Sequence, residues 1–185
     1  MNIRDAMPVL VACLLTGCAT MAPQTADQRR EAAQTVIQGW SEKSRIAAAA
    51  LLEEFGAPDR VDSSRLLWVD KHLFKRVVAW DQVPGDEWGE DVIEAAVSYR
   101  VPPQMRSELA AFSDKIRVSP DGKELAAHSD SEASAILALN LANEIVLGIQ
   151  PPQQARAVYS STQRLKAAGK VSPLIQGLIF LPRRE

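Results

Sequence analysis

An α+β fold, with an antiparallel sheet of about five strands and helices packed on one face, is predicted by three features of this 185-residue sequence. Some stretches carry apolar residues at spacings of three and four, the helical period; others alternate or run as short β-branched and aromatic segments, which suits strands. Clusters of Gly, Pro, Asp and Ser separate the two kinds of stretch at short intervals. The segments sum to one domain of ordinary size, long enough to bury a proper core.

The first residues read as a processing segment. Arg4 gives a short positive start, residues 6–15 are a mostly apolar run, and Leu15-Thr16-Gly17-Cys18 follows it. A run of about ten residues covers roughly 15 Å as a helix, half of a ~30 Å hydrocarbon core, so it suits a signal h-region and not a permanent span. Leu15-Thr16-Gly17-Cys18 resembles the lipobox of bacterial lipoproteins. The resemblance implies a signal peptide over residues 1–17, cleavage before Cys18, and lipid on the Cys18 thiol. Ala19 follows the cysteine where an inner-membrane retention aspartate would stand, which implies the outer membrane, facing the periplasm. Two or three acyl chains at ~0.8 kcal/mol per buried methylene make release negligible. Residues 18–26 are small and polar, a flexible tether of about eight residues reaching under ~30 Å, so the domain works close to its leaflet.

The domain is expected over residues 27–170. Ala33, Val36, Ile37 and Trp40 mark a first helix, and Ser41 is the N-cap of a second that Gly56 and Pro58 stop; the two are either separate or one bent helix. Arg65 to Val69 and Phe74 to Trp80 read as a hairpin around Asp70-Lys71-His72, and residues 92–101 supply a third strand after an acidic loop. Pro102-Pro103 opens a helix to Phe112. Strands at 115–119 and 123–128 flank the turn Pro120-Asp121-Gly122. Ser129 and Glu132 match a capping box for a helix to Leu147 that is apolar nearly all round, and hence central. Pro151-Pro152 opens the last helix, through Lys166.

Charge and composition narrow the chemistry. The net charge of -2 argues against nucleic acid. Of the two cysteines, Cys13 leaves with the signal peptide and Cys18 is consumed by lipid, so the mature domain holds no thiol for a disulfide or metal. The two histidines, His72 and His128, lack a second ligand at metal spacing. No metal, cofactor or catalytic residue is expected, and neither a nucleophile elbow nor a phosphate-cradling glycine loop occurs. Asn140, Asn143 and Glu144 share one side of the buried helix: they form either a polar site or bonds to backbone at a helix and sheet junction. Asp81, Asp86, Glu87, Glu90 and Asp91 crowd one loop without calcium-loop spacing and read as a solvated acidic loop. Lys71, Lys75 and Arg76 make a basic patch, either for anionic headgroups or ordinary surface.

Residues 171–185 form an apolar tail with Ile179 and Phe180 near its centre. It is too short to cross a bilayer, and either docks on its own domain or enters a partner groove or the membrane interface. The run 51–58, with extended segments bearing Trp68 and Trp80, resembles the helix, Gly-x-Pro turn and hairpin of small outer-membrane assembly lipoproteins, such as the minor subunit of the barrel-assembly machinery. That resemblance covers about thirty residues and transfers no binding residue. The function expected is a non-catalytic binding or scaffolding protein of the cell envelope, held at the membrane by Cys18 and meeting an envelope protein. The alternative is a hydrolase or binding protein acting on cell-wall or lipid ligands.

Overall fold

A reciprocal cap starts the first helix: the Thr25 hydroxyl accepts the Gln28 amide while the Gln28 side chain accepts the Thr25 amide. The computed structural model, which describes residues 25–81 and 91–182, places α1 at Ala26–Ile37. Thr25 and Ala26, counted with the tether, therefore belong to this helix. The chain breaks at Gly39 and Trp40, and α2 (Glu42–Phe55) begins afresh with Ser41 accepting the Ser44 amide, so the helices are two and not one bent rod. Gly56 at φ 71 ends α2 in the left-handed region that glycine enters without a Cβ penalty.

Among the described residues the sheet is antiparallel throughout and has six strands: β1 (Arg60–Asp62), β2 (Arg65–Lys71), β3 (Phe74–Trp80), β4 (Ile93–Ser98), β5 (Ile116–Val118) and β6 (Glu124–Ser129). Their order is β1-β2-β3-β4-β6-β5. The strand beyond the expected five is β1, whose three residues are too few to display alternation. The β2–β3 turn also lies later than expected. Lys71 pairs with Phe74, leaving His72 and Leu73 as the loop, with Asp70 and His72 at φ 51 and 50. Asp and His tolerate this region better than most side chains, and it matches the twist of a two-residue hairpin.

The remaining helices are α3 (Arg106–Phe112), entered through a 3-10 turn at Pro103–Met105, α4 (Glu132–Val146) and α5 (Pro152–Ala167). The expected capping box at Ser129 and Glu132 does not form. Ser129 pairs with Ile93 as the last residue of β6, and its hydroxyl donates to the Ser131 carbonyl. The N-cap is Ser131 instead, because the sheet register claims Ser129 first.

All these helices pack on one face of the sheet. That face presents Leu66, Trp68, Val77, Ala79, Ile93, Ala95, Val97, Leu125 and Ala127, and all of them are buried. Against them lie Leu51 and Leu52 of α2 and Leu137, Leu139, Leu141 and Ile145 of α4, the central helix the apolar pattern predicts. Each such side chain contributes about 1.5–3 kcal/mol on burial. Trp68 is fully buried and donates its indole N–H to the Gly56 carbonyl at 3.0 Å, which ties the end of α2 to β2.

Residues after α5 return to the domain. A 3-10 turn at Pro173–Ile175 lies on α4, and Leu174, Ile175, Leu178 and Phe180 pack on the core. Asn140, fully buried, holds this segment by its backbone: its side-chain amide donates to the carbonyls of Leu174 (3.0 Å) and Gly177 (2.9 Å), and its carbonyl accepts the Ile179 amide (2.9 Å).

Candidate functional site

The second face of the sheet carries no helix among the described residues, and the polar chemistry gathers there. Strand register places Arg76 opposite Ala96, Val78 opposite Glu94, Glu94 opposite His128 and Ser98 opposite Glu124. Because alternation sends these side chains outward together, two acids, a base and an imidazole meet at the β3–β4–β6 seam. Arg76 bonds Glu94 through Nε (2.9 Å) and Nη2, and Nη2 also reaches Glu124 (2.9 Å). Lys75 lies 3.0 Å from the other Glu124 oxygen, and His128 Nε2 lies 2.9 Å from Glu94 Oε2. The Trp80 ring stacks on the His128 ring at 5.7 Å with 10° between planes.

Small residues beneath this network make it compact. Ala96 and Ala126 are buried, so the long side chains of Arg76, Glu94 and Glu124 can lie over them. Burial alone would raise the Glu94 carboxyl; the His128 hydrogen bond and the Arg76 charge outweigh it and hold the group below its ordinary value. Arg76, half-covered, is kept cationic by the same two glutamates against its own desolvation. The result is a rigid, charge-balanced surface in which each ion already has a partner.

The three cations expected as a basic patch, Lys71, Lys75 and Arg76, all lie beside acids. Arg76 and Lys75 are engaged by Glu94 and Glu124, and Lys71 lies 3.4 Å from Asp59. Acids that sit far away in sequence neutralise all three. Asn140, Asn143 and Glu144 each bond a different partner. Asn140 clasps the tail, Asn143 accepts the Tyr99 hydroxyl at 2.8 Å, and Glu144 accepts the Gln150 amide. Of the two tail residues, Phe180 turns inward against Tyr99 with ring centroids 5.4 Å apart, while Ile179 stays half-exposed.

The acidic loop is not uniformly solvated. Asp81 accepts the Ser41 amide at 2.8 Å, and the nearly buried Asp91 lies 2.7 Å from Lys115. Burial would lower the Lys115 ammonium, but the Asp91 contact raises it above its ordinary value. Asp86, Glu87, Glu90 and Cys18 lie outside the described residues. His72 sits 3.6 Å from Glu54 with its ring against Phe55. Among the described residues no group of His, Cys, Asp and Glu is placed to hold a metal ion, and no helix is long and apolar enough to cross a membrane.

Sequence reasoning missed Glu94, Glu124, Trp80 and the partnership of His128. The available signal was Glu124 and His128 on one face of a strand, four residues apart. A further cluster lies where α4 begins: Lys166 Nζ donates to the hydroxyls of Ser131 (2.6 Å) and Ser134 (3.0 Å), and Gln163 also donates to Ser134 (2.9 Å). Burial would raise the adjoining Asp130 carboxyl, but Ser134 and Lys166 draw it below its usual value. Ser131 borders a groove of about 260 Å³ lined by Ile46, Ala47, Ala50, Leu51 and Ile93. There burial, and then the charge of Glu54, push the Glu132 carboxyl to about 7.

Among the described residues these features define an α+β domain with helices on one face of the sheet and none on the other. No family model, curated protein or solved structure matches the chain.

Proposed function

We propose that the protein is a lipoprotein of the outer membrane, anchored through lipid on Cys18 and facing the periplasm, whose domain binds or scaffolds an envelope protein without catalysing a reaction. The anchoring is supported by Leu15-Thr16-Gly17-Cys18 after a short apolar run. The binding role is carried by one observation. Among the described residues the outer face of the sheet carries no helix, and on it Arg76, Glu94, Glu124, Lys75 and His128 satisfy one another. Mutually bonded groups make poor reagents but fixed recognition points, since their geometry is set before a partner arrives.

Site-specific photo-crosslinking in cells tests this. A crosslinking residue at Val69 or Trp80, on the outer face, should capture one discrete partner, while the same residue at Ile46, exposed on the helical side, should not. Capture from Ile46 alone, or from neither side, contradicts the reading.

A second reading, a hydrolase on cell-wall or lipid substrates, is favoured by the Lys166–Ser131 contact at the mouth of an apolar groove. A serine beside a lysine is an activated-nucleophile arrangement, provided the lysine first loses its proton. The Ser131 hydroxyl donates to Asp130 at 3.0 Å and accepts from Lys166, so its proton points to the carboxylate and not to the amine, which weighs against it. Labelling of Ser131 by a fluorophosphonate probe, abolished by Lys166→Ala, would move the account to this reading.

A further inference from the structure

Where α4 gives way to α5, apolar side chains stand in water. Leu147, Ile149 and Leu181 are 62, 66 and 84% exposed. Leu147 and Leu181 border one open groove of about 330 Å³ with Tyr99, Pro102, Val146 and the exposed Arg100. The fold does not demand apolar residues at these places. Leu147 is the C-cap of α4, and Ile149 follows Gly148, whose φ of 69 turns the chain away from the helix. Leu181 directly follows Phe180, which is fixed against Tyr99, so the tail is pinned one residue before it presents Leu181 outward. Polar residues at all three positions would leave the core untouched.

We propose that this apolar row, rimmed by Arg100, is a membrane-contacting face that enters the headgroup boundary of the leaflet in which the lipid on Cys18 is held. The inference rests on the anchoring proposed above. Thr25 already caps α1, so about seven residues of chain connect the lipid to the fold, a reach of roughly 25 Å. A domain held that closely must lay one side on the leaflet. Leu147 and Leu181, which border one groove with Arg100, and the neighbouring exposed Ile149 carry matching chemistry, because aliphatic groups partition to the acyl boundary while arginine meets lipid phosphate. The outer face of the sheet is then left to the partner.

The test uses the mature acylated protein, purified from membranes and reconstituted into vesicles containing anionic phospholipid. With Cys13 removed and Cys18 acylated, its thiols come only from Leu147→Cys, Leu181→Cys or, as control, Ile46→Cys, each carrying an environment-sensitive fluorophore. Labels at 147 and 181 should shift to the blue and lose most of their emission to a lipid-borne quencher, while the label at 46 behaves as in water. Water-like labels at 147 and 181 on protein that floats with the vesicles overturn the membrane face and leave the anchoring standing. Labels that shift to the blue yet resist the lipid quencher also overturn it, pointing to contact between copies. Protein that fails to float overturns both.

Discussion

The two faces of the sheet bury their side chains by different means. On the helical face Trp68, Leu66, Ile93 and Leu125 are excluded from water by α2 and α4, and dispersion and the hydrophobic effect do the stabilising. On the outer face Ala96 and Ala126 are equally buried, yet charged side chains from three strands lie over them, bonded to one another. The apolar contacts of the first face involve no ionisable group. On the second, stability depends on which groups are ionised, and the surface stays available for contact.

Breaking each side in turn sharpens this contrast. Trp68→Ala should cost most, about 3–5 kcal/mol in denaturant unfolding, because it empties the middle of the apolar side and frees the Gly56 carbonyl. Asn140→Ala should cost about 3 kcal/mol, since three backbone groups of the tail lose their partner. Its signature is early proteolytic cleavage within residues 171–182.

Glu94→Ala strands Arg76 and His128 on the outer face and should cost about 2 kcal/mol at neutral pH. The folded Glu94 lies below its ordinary value of 4.5, so its contribution is present above that pH and is lost as pH falls through the folded value. Glu94→Gln should therefore flatten the acid limb of a stability profile below about pH 4.5. Glu132 behaves oppositely. With a folded value of about 7 against 4.5, it destabilises progressively across that interval and fully above it. Glu132→Gln should stabilise by roughly 1–2 kcal/mol at pH 8, after allowance for partial solvation, and change little at pH 4. Lys71→Ala removes a partly exposed ion pair and should move stability by under about 0.5 kcal/mol.

Local chemistry was legible in the residues and pairing was not. Gly56 and Pro58 stop α2 as their backbone preferences require, the all-round apolar pattern from Ile136 to Ile145 marks the central helix, and Asn140 bonds backbone, though of the tail and not at a helix and sheet junction. The acids beside Lys75 and Arg76, Glu94 and Glu124, were not legible because they lie eighteen or more residues away and arrive only through strand register. His128 and Glu94 face each other across β4 and β6 for the same reason. Ser129 looked like a cap because sequence spacing cannot reveal that β6 extends through it. β1 is held by pairing with β2, which no pattern of three residues announces.

Mass spectrometry of the protein isolated from its native membrane tests the whole account most directly. A chain whose first residue is Cys18, heavier by a diacylglycerol and an acyl group, is the expected result. A chain that retains the residues before Cys18 and carries a free thiol there would contradict the anchoring, and with it the proposed placement of both faces.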